Sequence, residues 1–388
     1  MKKRTAALLA AAIMTLPCVG CNQDTNAPGG PIKAEELTEK WGISRTADKN
    51  KVILDIDMMY VNDDAYAVLV AAQADALGYI DLLGITSTTG NAFASASLYD
   101  TLYLLGEIGR TDIPVFWGET APRNGFADVE KIKKECGLSA WYGCYRSIDR
   151  YTDDIYEAYQ SGICGAKGGI KDAAPADGTA VDFIIEQIHR YPGEVTLITL
   201  APLTTVSKAI EKDPTIVDDA AGIAIMGGDF GAAVDELRDF EFNTWFDPEA
   251  ANMVLAAPWK ECFIASSDAA VSCRRDKEVY DLIKSKNTGK ASRCIVDFLA
   301  PTYENGKEEA MPYCWDPVAV VYYLCPDIAK TVEQRAFCVD EREGMTYGLS
   351  RDWAPGTSPE GVSDFPVVLA CDGAAFWDFI SDIYSIDP

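Results

Sequence analysis

The sequence predicts an α/β fold: a single domain built on a mainly parallel sheet with helices on both faces, an open Rossmann-like sheet. Two observations carry this. Short β-branched runs alternate with stretches of helical apolar spacing, the pattern of strands joined by helical crossovers. The residues ending those runs are polar and mostly acidic, and in such sheets a ligand lies outside the carboxyl ends of the strands.

In order along the chain, Lys2, Lys3 and Arg4 precede an apolar run over about 5–17 and then Val19-Gly20-Cys21, the layout of a bacterial export signal. The apolar run falls short of the roughly 20 residues a spanning helix needs. A small residue directly before Cys21 resembles a lipoprotein processing site, which implies removal of residues 1–20 and lipidation of Cys21. Cys18 is the poorer acceptor because Pro17 precedes it. The expectation is an exported protein, lipid-anchored to a bacterial membrane and facing the periplasm or the cell surface. Residues 21–48 are polar and rich in Gly, Pro, Asn and Lys, as a flexible tether would be. The α/β domain is expected over 49–388.

Within it, Val52-Ile53-Leu54-Asp55-Ile56 reads as a strand and 64–77 as a helix. The alternation continues with 80–86, 93–108, 113–117, 195–200, 203–210, 222–226 and 263–266. Residues 123–177 break the rhythm and read as an insertion, either a lid over the site or a surface excursion clamped by Cys136, Cys144 or Cys164.

Composition narrows the partners. The formal charge is −26, or −29 once Lys2, Lys3 and Arg4 leave with the signal, which repels phosphate backbones and anionic lipid. Nucleic acid is therefore not expected as a partner, and the membrane is met only through the lipid. None of the ten cysteines after Cys21 forms a CxxC pair, and with one histidine in the chain a zinc site is not expected.

The run Asp55-Ile56-Asp57-Met58-Met59-Tyr60-Val61-Asn62-Asp63-Asp64 places four carboxylates where the first strand gives way to a helix. Helix capping accounts for Asp63 or Asp64 alone, but not for Asp55 and Asp57 as well. A hard divalent cation relieves the repulsion, because carboxylate and carbonyl oxygens are what Ca2+ and Mg2+ prefer.

This run resembles the opening motif of the inosine-uridine nucleoside hydrolase family, Asp-x-Asp, a turn, then Asp-Asp at a helix start. Further likenesses follow in order: Leu83-Gly84-Ile85-Thr86 leading to Gly90-Asn91; Val195-Thr196-Leu197 through Ala201-Pro202-Leu203-Thr204; Ile225-Met226-Gly227-Gly228; Glu241-Phe242-Asn243 with Asp247-Pro248-Glu249-Ala250; and Trp315-Asp316-Pro317. They cover about 51–118 and 178–324. The resemblance implies Ca2+-dependent hydrolysis of the N-glycosidic bond of ribonucleosides to ribose and free base, as in purine and pyrimidine salvage, by a metal-bound water that Asp57 deprotonates. Carried over by position, Asp57, Asp64, the Leu200 carbonyl and Asp316 hold Ca2+. Asp63, Asn91, Glu241 and Asn243 grip the ribose hydroxyls, and Met226 and Trp315 complete the substrate contacts. Oligomeric state is left open, a homo-oligomer included.

The sequence departs from the family at four places. Met58-Met59 replaces the usual Pro-Gly in a turn two residues longer than common; Thr205 stands where Asn is usual; Asp235 stands near an Asn that touches the 5'-hydroxyl; and Trp315 replaces a histidine that protonates the leaving base. His189, before Tyr191-Pro192-Gly193, reads as a helix-terminus residue. Base stacking on Trp315, Tyr313 or Trp141 is the expected substitute for histidine. Two rivals stand beside this reading. Asp55-Ile56-Asp57 after a strand also resembles the nucleophile loop of haloacid-dehalogenase-type phosphatases, and a surface lipoprotein that only binds nucleosides or sugars could keep the same fold.

Overall fold

The computed structural model describes residues 32–43, 50–137, 141–170, 173–231, 240–306, 312–342 and 344–387. Cys21, the signal segment and Asp235 lie outside them. Among the described residues nine strands form one sheet: β1 Asn50–Ile56, β2 Ile80–Ser87, β3 Val115–Trp117, β4 Val195–Thr199, β5 Gly222–Met226, β6 Cys262–Ala265, β7 Ala329–Val339, β8 Ser350–Trp353 and β9 Asp364–Cys371. Their order is β3-β2-β1-β4-β5-β6-β9-β7-β8. The first seven in that order are parallel, and β7 and β8 add an antiparallel ribbon at one edge.

The central strands are buried on both faces, so they read as nearly continuous apolar runs rather than alternating ones. One face is covered by helices including Asp63–Ala76, Ala94–Ile108, Lys290–Tyr303, Asp316–Leu324 and Gly373–Ser385, the other by Ala180–Arg190, Thr204–Lys212 and Pro248–Ala256. Helix Asp63–Ala76 lies against Asp316–Leu324 and Gly373–Ser385 and is buried on every side from Asp64 to Ala74. Five buried alanines along it let its neighbours approach, and each fully buried Val or Leu contributes about 1.5–3 kcal/mol. Its one long polar side chain, Gln73, is satisfied by the carbonyls of Ile383 (3.0 Å) and Ile386 (2.6 Å).

The sheet grows from β1 in both directions, toward β2 on one side and β4 on the other. That switch of direction opens a crevice beyond the carboxyl ends of β1 and β4.

One expectation changes here. The tether assigned to 21–48 contains a helix, Ala34–Trp41, which docks on the C-terminal helix. Leu37 is fully buried, Lys40 Nζ meets Asp378 (2.5 Å) and Asp382 (2.7 Å), and Trp41 Nε1 donates to Asp382 (3.0 Å). Lys286 reaches the same Asp382 at 2.6 Å, so the buried carboxylate is neutralised from two sides. No described helix is long and apolar enough to cross a membrane.

Candidate functional site

The crevice gathers the predicted residues from six separate segments. Asp57 follows β1 directly; Asp63 and Asp64 open helix Asp63–Ala76; Asn91 lies in the loop after β2; Leu200 follows β4 directly and Met226 ends β5; Glu241 and Asn243 start helix Phe242–Phe246; Trp315 and Asp316 start helix Asp316–Leu324. Two helix N-termini thus point at one spot and favour negative charge there.

Carboxylate oxygens of Asp63, Asp64 and Asp316 lie within 4.8 Å of one another, close enough to share one cation. Asp316 Oδ2 is buried with no hydrogen-bond partner, an orphan oxygen of the kind an ion satisfies. Asp63 Oδ2 accepts the backbone N–H of Trp315 at 3.1 Å, which ties the two helix starts together. Asp64 accepts from Asn62 Nδ2 (2.8 Å) and from the Asp57 backbone N–H (3.2 Å). Burial first, and the charge of Asp63 second, push Asp64 up to about 7. Asp316 is driven up by burial and then by Asp63, Asp64 and Asp57.

Asp57 sits differently from the ligand role expected of it. It is fully buried, and its two oxygens accept the backbone N–H (2.7 Å) and Nδ2 (2.9 Å) of Asn91. Burial and the Asp64 charge raise its carboxyl strongly, with the Asn91 bonds working against the rise. The Leu200 carbonyl likewise accepts Asn243 Nδ2 at 2.9 Å. Asn243 Nδ2 also approaches the Met226 carbonyl at 3.3 Å. Glu241, expected on ribose, accepts the backbone N–H groups of Asn243 (2.8 Å), Thr244 (2.9 Å) and Gly228 (3.1 Å). It therefore caps its short helix and aims Asn243 into the crevice. Trp315 and Tyr313 form a tilted pair with ring centroids 5.7 Å apart.

Asp55 stands apart. It faces β2, accepting Thr86 Oγ1 (2.6 Å) and Thr88 Oγ1 (2.9 Å), and burial pushes it up to about 7. A phosphatase would need this residue as an exposed nucleophile, and it is 2% exposed.

The insertion contains helix Val129–Cys136, the 3-10 turn Gly143–Arg150 and helix Ile155–Gln160, and its stretch at 141–144 meets the loop of Gly90 and Asn91. The Cys144 N–H donates to the Gly90 carbonyl at 2.9 Å, and Trp141 Nε1 donates to Asn91 Oδ1 at 2.6 Å. Cys144 and Cys164 are free thiols, so contacts of Trp141 and the cluster of Tyr142, Tyr145, Phe93, Trp245 and Phe246 hold the insertion in place. His189 is remote: it ends the helix before β4, at the amino end of the sheet, with ring nitrogens 2.9 Å from both Asp213 and Asp219.

Asn62 and Arg275 were not foreseen. Asn62 orients Asp64, and Arg275, buried beside Tyr66 at 3.0 Å, supplies positive charge toward Asp63. Asn62 lay inside the acidic run and could have been read as a cap; nothing local marks Arg275, whose partners are far along the chain.

The sequence profile of the inosine-uridine preferring nucleoside hydrolase family matches residues 52–378. Uridine nucleosidase 1 of Arabidopsis thaliana is 26% identical over 346 residues, 85% of this chain and 91% of its own length. The pyrimidine-specific ribonucleoside hydrolase RihA of Shigella flexneri is 25% identical over 339 residues, 85% of this chain and 97% of its own. A solved purine-preferring ribonucleoside hydrolase from Gardnerella vaginalis shares the fold with a TM-score of 0.66 at 22% identity, over 86% of this chain and 98% of that one.

Proposed function

The chain belongs to the inosine-uridine preferring nucleoside hydrolase family, and from that premise we propose that it hydrolyses ribonucleosides to ribose and free base in a Ca2+-dependent reaction with Asp57 as general base. The observation that carries the ion is the carboxylate cluster of half-buried Asp63 with buried Asp64 and Asp316 and its orphan oxygen. An all-oxygen donor set suits a hard cation, and Ca2+ accepts more varied arrangements of such donors than Mg2+, which demands a near-ideal octahedron. Asp63, Asp64 and Asp316 would hold the ion, and the resemblance adds Asp57 and the Leu200 carbonyl as further oxygen donors, whose remaining lone pairs can serve while Asn91 and Asn243 stay bonded. When bound, Ca2+ neutralises the cluster and makes a neighbouring water more acidic.

Asp57 takes the proton of the attacking water. Its burial raises its carboxyl toward the range where a base works near neutral pH, and Asn91 fixes its direction. Ribose hydroxyls bound by Asp63, Asn91 and Asn243 hold C1' for attack on the face opposite the base. The sugar becomes oxocarbenium-like as the C–N bond breaks, and the surrounding carboxylates stabilise that charge. With tryptophan at 315 and His189 at the far end of the sheet, the leaving base is stacked on aromatic rings, Trp315, Tyr313 and Trp141 being the ones at hand. Asp57 is sealed from solvent, so the stretch around Trp141 must move to admit a nucleoside.

The export signal and the small residue before Cys21 support a lipid-anchored location. Helix Ala34–Trp41 would then set where the anchor's tether leaves the domain. The mechanism is tested by Asp57→Ala, which should fold and bind Ca2+ weakly but show negligible turnover. Near-normal turnover in that variant would sink it.

A further inference from the structure

We infer that Asp100 is a positioning residue that sets the shape of the acidic loop and locks it to the insertion. Asp100 lies in helix Ala94–Ile108 and is fully buried. Its carboxylate accepts three backbone N–H groups. Tyr60 (3.0 Å) and Gly165 (2.8 Å) bind Oδ2, and Ala166 (2.8 Å) binds Oδ1.

Those three donors belong to the two segments that form the site. Tyr60 stands midway in the loop with Asp57 at one end and Asp63 and Asp64 at the other. Gly165 and Ala166 lie on the returning limb of the insertion, whose outgoing limb covers Asn91 and Gly90. A Cβ on Gly165 would come within 2.5 Å of Tyr60 Cβ, so the two backbones touch at the point where the carboxylate joins them. The residue after Tyr60, Val61, has φ 52°, a left-handed conformation that a β-branched side chain avoids. Such a loop relaxes unless it is held, and relaxation at 61 would carry Asn62, Asp63 and Asp64 with it. Charge-assisted bonds to a buried carboxylate are strong enough to hold it.

The inference rests on reading Asp63, Asp64 and Asp316 as the ion site. Outer-shell partners of metal ligands typically change affinity by about 10–100-fold when replaced. The test is a Tb3+ titration followed by luminescence sensitised through Tyr60 and Trp315, with thermal unfolding measured on the same samples. Wild-type protein is expected to bind. Asp100→Asn keeps the side-chain shape but turns an acceptor into a donor facing N–H groups, and is expected to bind at least about ten-fold more weakly while unfolding cooperatively. Gly165→Ala keeps Asp100 and pushes Tyr60 away, and is expected to show a similar loss, which serves if Asp100→Asn does not fold. Wild-type affinity in both folded variants, with or without a lowered Tm, overturns the positioning role and leaves the ion site standing. Failure of the wild type to bind Tb3+ overturns the ion site and this inference together.

Discussion

Replacing Gly90 with alanine disturbs the proposed base without altering it chemically. The new methyl would sit 2.0 Å from Asp57 Oδ2 and 2.6 and 2.8 Å from the Pro202 ring, where ordinary contact begins at 3.4 Å. A proline ring cannot rotate aside, so the carboxylate has to retreat by roughly 1.4 Å, leaving the Asn91 N–H at 2.7 Å and Nδ2 at 2.9 Å. Misplacing a reacting group by about 1 Å can cost on the order of 100-fold in rate, so kcat of Gly90→Ala should fall at least that far. Overpacking of this kind costs about 1–3 kcal/mol, within the roughly 5–15 kcal/mol stability of a typical protein, so the variant should remain folded. The assay is reducing-sugar release under saturating nucleoside, with thermal unfolding as the control. A folded Gly90→Ala protein whose kcat stays within about three-fold of wild type would refute the placement of Asp57 beside the reacting centre.

Three further outcomes follow from the same geometry. Burial and mutual repulsion raise Asp57 and Asp316 and bring Asp64 to about 7, so the metal-free folded state binds more protons than the unfolded one. The cluster's contribution to stability is therefore greatest in acid and declines as pH rises from about 4 through 7, and added Ca2+ should raise Tm more at pH 8 than at pH 5; an equal rise at both would contradict the cluster's role. His189→Gln should turn over at the wild-type rate, because its ring is held by Asp213 and Asp219 away from the crevice. Those partners raise the His189 pKa above 6.5, so its stabilisation is complete below that pH and is lost as pH climbs past the raised value; the Tm gap to His189→Gln should close in alkali.

The first six strands were legible because they are largely apolar and separated by strong helical periods, which local sequence carries. The antiparallel ribbon was not. β7 has exposed Lys330, Val332, Glu333 and Gln334, and β8 is half-buried throughout, so neither carries an apolar run facing the core. Helix Ala34–Trp41 was read as tether because its eight residues include four charges, and what holds it is Asp378 and Asp382 some 340 residues away. The site divides in the same way. Asp57, Asp63 and Asp64 stood out because so many carboxylates in one run need a common counter-charge, and Asp316 through the resemblance of Trp315-Asp316-Pro317 to the family's motif. The capping bonds of Glu241 were not legible, because its backbone partners meet it only once β5 and the following helix come together. Trp141 was seen only as a ring for stacking; its bond to Asn91 spans 50 residues, beyond any local pattern.

The most direct test of the central claim is ribose release from a panel of purine and pyrimidine ribonucleosides by residues 22–388, with and without a Ca2+ chelator. Release that stops on chelation and returns with Ca2+ is the predicted result, and the base released fastest would define the preference of the Trp315 and Trp141 rings. No release while Ca2+ remains bound, or release indifferent to the chelator, would contradict it.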